Sequence, residues 1–284
     1  MNKFFLYIIF FLVFISVKGQ YLINSTQSSP LLQDIRTDTT FFPRYRIVNV
    51  GLGSQTLRDP LLSTLRYKGK LINCSINTIK FRPKFLTISS LSMHINMLGN
   101  KSTGAKIYEI GGSYSFTMLK NIKNISNEKW QFYVGASTEA MFNFRLALSN
   151  VNNMFAYDAS ISIGASGLIQ RNFKLFHRNF SISNQINVPF YNIISRPQYS
   201  WSYPLYAEEG GKIKDDIQTG SFGKFFKIQN KLTLDFQLGM RHHHKSIGKS
   251  AWRFTYQYEY YNISQLNRVQ SGTVLFMIGR IHRF

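Results

Sequence analysis

Between Trp130 and Leu148 the chain keeps a two-residue rhythm for 19 residues. Trp130, Phe132, Val134, Ala136, Ala140, Phe142, Phe144, Leu146 and Leu148 share one parity, and Gln131, Ser137, Glu139, Asn143 and Arg145 occupy the other. A period of two belongs to a strand, whose successive side chains point to opposite faces. A globular strand runs about five or six residues, so one this long belongs to an unusually tall sheet with an apolar and a polar side.

The same pattern returns along the chain. It is clear at Leu232 to Arg241, Trp252 to Tyr260, Phe155 to Ile169 and Phe180 to Phe190. It is weaker at Arg46 to Leu52, Leu71 to Phe81, Phe85 to Met97, Ile107 to Met118, Gly220 to Ile228 and Thr273 to Ile281. Stretches of Asn, Gly, Ser, Lys and Pro separate these segments, as turns require. That reading gives eleven strands and no second domain. On the apolar parity Phe and Tyr dominate, while Ser, Gly, Asn and Gln fill the other. Bulky apolar outward with small polar inward is the arrangement of a membrane barrel. A soluble sandwich or lipocalin-like barrel would turn the apolar parity inward.

The first residues, MNKFFLYIIFFLVFISVKGQ, combine a basic start at Lys3, an apolar run from Phe4 to Val17 and a small residue at Gly19. That pattern predicts a secretory signal peptide over 1–19. No later run approaches 18 consecutive apolar residues, so any membrane crossing is by strands. Loss of Lys3 and Lys18 with the signal leaves 32 basic against 13 acidic residues, a net charge of +19. For an exported chain the expected counterpart is a phosphate-rich lipid surface and not nucleic acid; no clustered basic stripe is visible in the sequence. The single cysteine, Cys74, excludes an internal disulfide and a multi-cysteine zinc site.

Export, long amphipathic strands and even spacing over about Arg44 to Phe284 resemble bacterial outer-membrane β-barrel proteins. The terminal Phe284 adds to the resemblance, since such barrels commonly end in an aromatic residue. Arg280 and His282 share its parity, where that pattern expects apolar residues, which points to a shifted register or a bulge in the last strand. The Asn-, Ile-, Lys- and Phe-rich composition resembles proteins of the Bacteroidota. Single-chain bacterial barrels have an even number of strands, so a twelfth is placed near Gln198 to Tyr206. The expectation is an all-β, transmembrane, antiparallel up-and-down barrel of about twelve strands, with ten to fourteen as the range. It comprises a signal peptide (1–19), a lead segment that is flexible or plugs the lumen (20–43) and the barrel (44–284), located in the outer membrane.

The polar parity then lines the lumen with Glu109, Glu139, Asn143, Arg145, Asp158, Asp235, Arg241, Arg253 and Glu259, joined by His94. Mixed signs in a confined space predict ion pairs, because an unpaired buried charge is costly. Three functions follow: a non-catalytic scaffold or subunit of an envelope complex, a narrow porin for small polar solutes, or a lipid hydrolase. The first is favoured, since no ring of a single sign appears. His94 alternates with Ser90, Ser92 and Asn96, a set with hydrolytic residue types, but on the face expected to point away from lipid. His242-His243-His244 can offer only two ligands to one side of a strand and lacks a nearby Cys or carboxylate. Neither Gly111-Gly112 nor Gly210-Gly211 opens a phosphate loop. No metal, cofactor or catalytic residue is expected; the expected partners are outer-membrane lipids, lipopolysaccharide and envelope proteins.

Overall fold

The computed structural model describes residues 44–82, 85–123, 125–126, 129–148, 154–175, 178–197, 216–237, 251–264 and 268–283. The signal and lead segments, Arg241, the three consecutive histidines, Phe284 and the strand expected near Gln198 to Tyr206 lie outside these residues. Eleven strands are described: β1 (Arg44–Asp59), β2 (Ser63–Phe81), β3 (Phe85–Gly99), β4 (Lys106–Asn121), β5 (Trp130–Leu146), β6 (Phe155–Leu175), β7 (Arg178–Ser195), β8 (Ile217–Gly220), β9 (Phe225–Gln237), β10 (Ala251–Ile263) and β11 (Val269–Arg283).

Ten of them close a ring. The order runs β1 to β7 consecutively, then β9, β10 and β11, and β11 pairs back onto β1. All pairings are antiparallel, so both β1 and β11 bring their outer termini, Arg44 and Arg283, to one end of the barrel. We call this the near end and the other the far end.

The ring has ten strands, not twelve. The two segments read from sequence as Gly220 to Ile228 and Leu232 to Arg241 are largely one strand: β9 pairs with β10 without interruption from Phe225 to Gln237. Asn230 and Lys231 resemble a turn in composition, yet they continue the alternation. Lys227, Gln229, Lys231, Thr233 and Asp235 share one parity, against Phe226, Ile228, Leu232 and Leu234. The eleventh strand, β8, is a four-residue piece pairing with Asn192 to Ser195 of β7. It occupies the edge of β7 that β9 leaves after Asn187. Between them the chain makes a tight turn in which Lys224 N and Phe225 N both donate to Ser221 O at 2.9 Å. Pro189 of β7, which has no N–H to offer, falls in this unpaired stretch.

The last strand carries no bulge. β11 pairs with β1 in continuous register from Tyr45↔Arg283 to Arg58↔Gln270. Arg280 and His282 are instead outward, exposed residues at the near-end margin of the wall.

Outward side chains form an apolar belt around the ring. Leu52 is 66% exposed, Ile95 63%, Phe276 62% and Ile161 60%, on four different strands. Aromatic rows flank it. At the near end Phe173, Phe180, Phe236 and Phe254 follow one another across β6, β7, β9 and β10 with ring centroids 5.5–6.2 Å apart. The Arg171 guanidinium lies 5.0 Å from the Trp130 ring.

Candidate functional site: the filled lumen

Every described carboxylate in the strands points into the barrel. Asp59, Glu109, Asp158 and Asp235 are buried; the side chains of Glu139 and Glu259 are 14% and 19% exposed. Inward cations meet them in three groups along the axis.

The group nearest the far end centres on Arg145 of β5, which is fully buried. Its Nε donates to Glu109 Oε2 of β4 at 2.5 Å, and its Nη1 to Asp59 Oδ2 of β1 at 3.0 Å. Its Nη2 lies 2.6 Å from both Asp158 Oδ2 of β6 and the Tyr261 hydroxyl of β10. Arg196, just beyond β7, reaches into the same group and donates to Asp59 and Asp158. A guanidinium is a planar fork of five donors, and Arg145 uses it to tie β5 to four other strands. Asn143 joins the edge of the group through a 3.4 Å contact from its Nδ2 to the Tyr261 hydroxyl.

Midway along the barrel, Lys227 of β9 sits between Glu139 of β5 and Glu259 of β10, at 3.0 and 3.1 Å. Gln229 Nε2 donates to Glu259 at 2.9 Å. His94 faces this interior from β3 and contacts Glu109 at 3.4 Å. Of the residues that alternate with His94, Ser92 accepts a hydrogen bond from Asn73 at 2.7 Å, and Asn96 donates to Glu109 at 3.1 Å and to Gln55. Ser92 and His94 thus bond to different partners inside the barrel. Nearer the other end, Arg253 pairs with Asp235 across β9 and β10.

Apolar layers close both ends over these charges. At the far end Leu57, Leu62, Tyr67, Leu98, Ile107, Phe225 and Ile263 pack together. At the near end Tyr45, Ile47, Ile79, Leu86, Leu119, Tyr133 and Ile281 do the same. A cavity of about 50 Å³ lies between the near-end layer and the Arg253–Asp235 pair, bordered by Gln185, Lys231 and Thr233. Barrels of about eight strands are filled by their own side chains, whereas those of sixteen or more hold a channel; with ten strands, this interior follows the smaller class.

Small residues make the packing possible. Gly111 of β4 lies opposite Asn143 and His94 in register. A β-carbon there would meet Asn143 Oδ1 and come within 2.5 Å of the His94 ring.

The strands therefore gather Glu109, Asn143, Arg145 and Asp158 in one group, place Glu139, Glu259 and His94 midway and set Asp235 with Arg253 toward the near end. Sequence reasoning missed Asp59, Tyr261, Lys227 and Arg196. Tyr261 continues the inward parity one residue past Trp252 to Tyr260, Asp59 continues it seven residues past Arg46 to Leu52, and Lys227 shares the parity of Gln229 and Asp235; extending the alternation finds all three. Arg196 follows β7 into a stretch without periodicity, and no local signal marks it. Among the described residues no group of three or more His, Cys, Asp or Glu is arranged to hold a metal ion.

Comparison with solved structures finds similarity to outer-membrane barrels at very low identity. The outer membrane protease OmpT of Escherichia coli is 6% identical over 87% of this chain and 100% of its own, with a TM-score of 0.46. The translocator domain of the autotransporter NalP of Neisseria meningitidis is 8% identical over 89% and 92%, at 0.40. The toluene transporter TodX of Pseudomonas putida is 8% identical over 93% and 95%, at 0.30. No curated protein matches the sequence. The family described as protein of unknown function, DUF3316, matches residues 6–284, and the chain belongs to that family.

Proposed function

We propose that this chain is an integral outer-membrane β-barrel with a closed lumen, serving as a non-catalytic scaffold or subunit of an envelope complex. The outward belt supports the membrane part of this reading. Soluble monomers rarely expose contiguous apolar patches beyond a few hundred Å², and here large apolar side chains such as Val50, Ile72, Met93, Ile161 and Phe276 encircle the wall. The even count and the meeting of both strand termini at one end agree with a single-chain bacterial barrel, whose termini face the periplasm.

The observation that carries the functional reading is the filling of the interior. Buried ion groups, Arg145 with Asp59, Glu109 and Asp158 foremost, lie between two apolar layers. A lipid hydrolase needs its nucleophile and base at a rim open to lipid, and the contacts of His94 are internal.

A narrow pore is the second reading. The side-chain oxygens of Asn49, Asn73, Asn77 and Asn96 face inward without a protein donor, and such groups are commonly satisfied by internal water. Planar-bilayer conductance of the refolded chain, beside a gel assay for heat-modifiable migration, separates the two. Folded barrel without conductance is expected; stable single-channel steps would replace the scaffold reading with the pore.

A further inference from the structure

Charge in this barrel is sorted by side. The described strand carboxylates are internal, and apart from Lys231, which borders the inner cavity, the described strand cations left over lie outside. On the far half of the wall, Arg58 of β1, Arg66, Lys68 and Lys70 of β2, Lys101 of the β3–β4 turn and Lys106 of β4 are all exposed. The folded register gathers residues that look scattered in the sequence. Arg58 lies directly opposite Arg66, Thr56 opposite Lys68, and Ser54 opposite Lys70; Gly99 lies between Lys68 and Lys106. The Asn100 side chain donates to Arg66 O at 2.8 Å, which holds the turn carrying Lys101 beside β2.

Like charges directly opposed across two strands repel. Among the described residues no ion pair involves any of these six, and the described strand carboxylates that could have balanced them point into the lumen instead. With no counter-charge among the described residues, an external anion is suited to neutralise them. Three strand spacings and a comparable height along the strands give the cluster a footprint of about 15 Å on a side, more than one phosphate covers.

Toward the middle of the wall, β3 and β4 lead from the edge of this cluster into a groove of about 700 Å³ on the outer surface, which continues across β5, β6 and β7 to β8. Its lip is formed by Met93, Ile110, Tyr114, Phe142 and Ile161, and small Gly112 lies among them. Lys106 and Ile110 share the outward face of β4, about 13 Å apart at strand rise.

We propose that the far-end cluster and this groove together bind a lipid whose headgroup carries two or more phosphates, with the phosphates on the cations and acyl chain in the groove. The proposal rests on the membrane-barrel reading above.

The test uses the full chain folded in neutral detergent, with bound lipid counted by native mass spectrometry. The probes are diphosphorylated lipid A, its monophosphorylated form and phosphatidylglycerol. Retention is expected to fall in that order. The variant K68Q/K70Q/K106Q is expected to bind diphosphorylated lipid A about 100-fold more weakly, at about fivefold per cation, while K80Q/K120Q at the near end keeps its binding. Equal retention of the three lipids, unchanged affinity in the far-end variant, or equal loss in the near-end variant would each overturn the site. Heat-modifiable migration of the same samples reports the barrel separately. Its loss in the parent chain would overturn the membrane reading and this inference with it; its presence with unchanged lipid binding would overturn the inference alone.

Discussion

Arg253 and Asp235 face each other across β10 and β9 as a two-pronged ion pair, Nε to Oδ1 and Nη2 to Oδ2, each at 2.6 Å. Bidentate geometry of this kind is the strongest form of the guanidinium–carboxylate contact. Removing one partner leaves the other charge in the wall of a packed lumen, which costs about 3–5 kcal/mol, whereas replacing both with apolar side chains is often neutral. Arg253→Met and Asp235→Leu are each expected to lower the urea midpoint of unfolding in detergent, and the double variant to recover most of the loss. Additive losses in the double variant would show that the two residues act independently.

Arg145 is bound to more partners than any other inward cation. Arg145→Leu leaves Asp59 and Asp158 with Arg196, and Glu109 with only His94 and Asn96, so destabilisation at or above about 3–5 kcal/mol is expected. Arg145→Lys keeps the charge but not the fork, and an intermediate loss is expected. The heat-modifiable fraction after refolding measures both; a parent-like fraction for Arg145→Leu would mean the far-end group contributes little to folding.

Gly111 and Gly167 should respond oppositely to the same substitution. Gly111→Ala drives a methyl group into Asn143 and the His94 ring, a forced overpacking worth about 1–3 kcal/mol. Gly167→Ala places its methyl in open space and is expected within about 0.5 kcal/mol of the parent. Thermal loss of the folded gel band ranks the two. Equal behaviour would contradict the close approach of β3 and β5 side chains over β4.

Cys74 offers a test that needs no mutation. It is the sole cysteine and is exposed on the outward face of β2, between Ile72 and Ile76. Inserted in a bilayer, it faces hydrocarbon, so a charged water-soluble maleimide is expected to leave it unlabelled until the vesicles are dissolved and the chain unfolded. Rapid labelling in intact vesicles would place that face in water.

Much of this architecture is legible in the alternation itself. Trp130 to Leu148 announces both faces of β5, and its polar parity names Glu139, Asn143 and Arg145 as inward. What alternation cannot show is where a strand stops, or when two amphipathic stretches are one. Asn230 and Lys231 have turn-like composition but sit mid-strand, because Lys231 is inward and Asn230 continues the outward row. The end layers escape for a related reason: Tyr45, Ile47, Ile79 and Leu119 are apolar on the nominally polar face, and only the assembled ring reveals that their height places them together. The basic cluster is invisible for the same cause, since Arg58, Lys70 and Lys106 become neighbours through register alone.

The grouping around Arg145 has a bearing on how such a wall is put together. Its partners come from β1, β4, β6 and β10, and Arg196 arrives from beyond β7. While the sheet is an open curl these groups remain in water, where pairing yields little. They are stripped of solvent together when β11 meets β1, the seam that joins the two extremes of the strand order. Joining that seam is thus the step at which the contacts that cross the lumen, Arg145 and Arg196 to Asp59 and Arg145 to Tyr261, are gained together, whereas pairs on neighbouring strands such as Arg253 and Asp235 need no closure to meet.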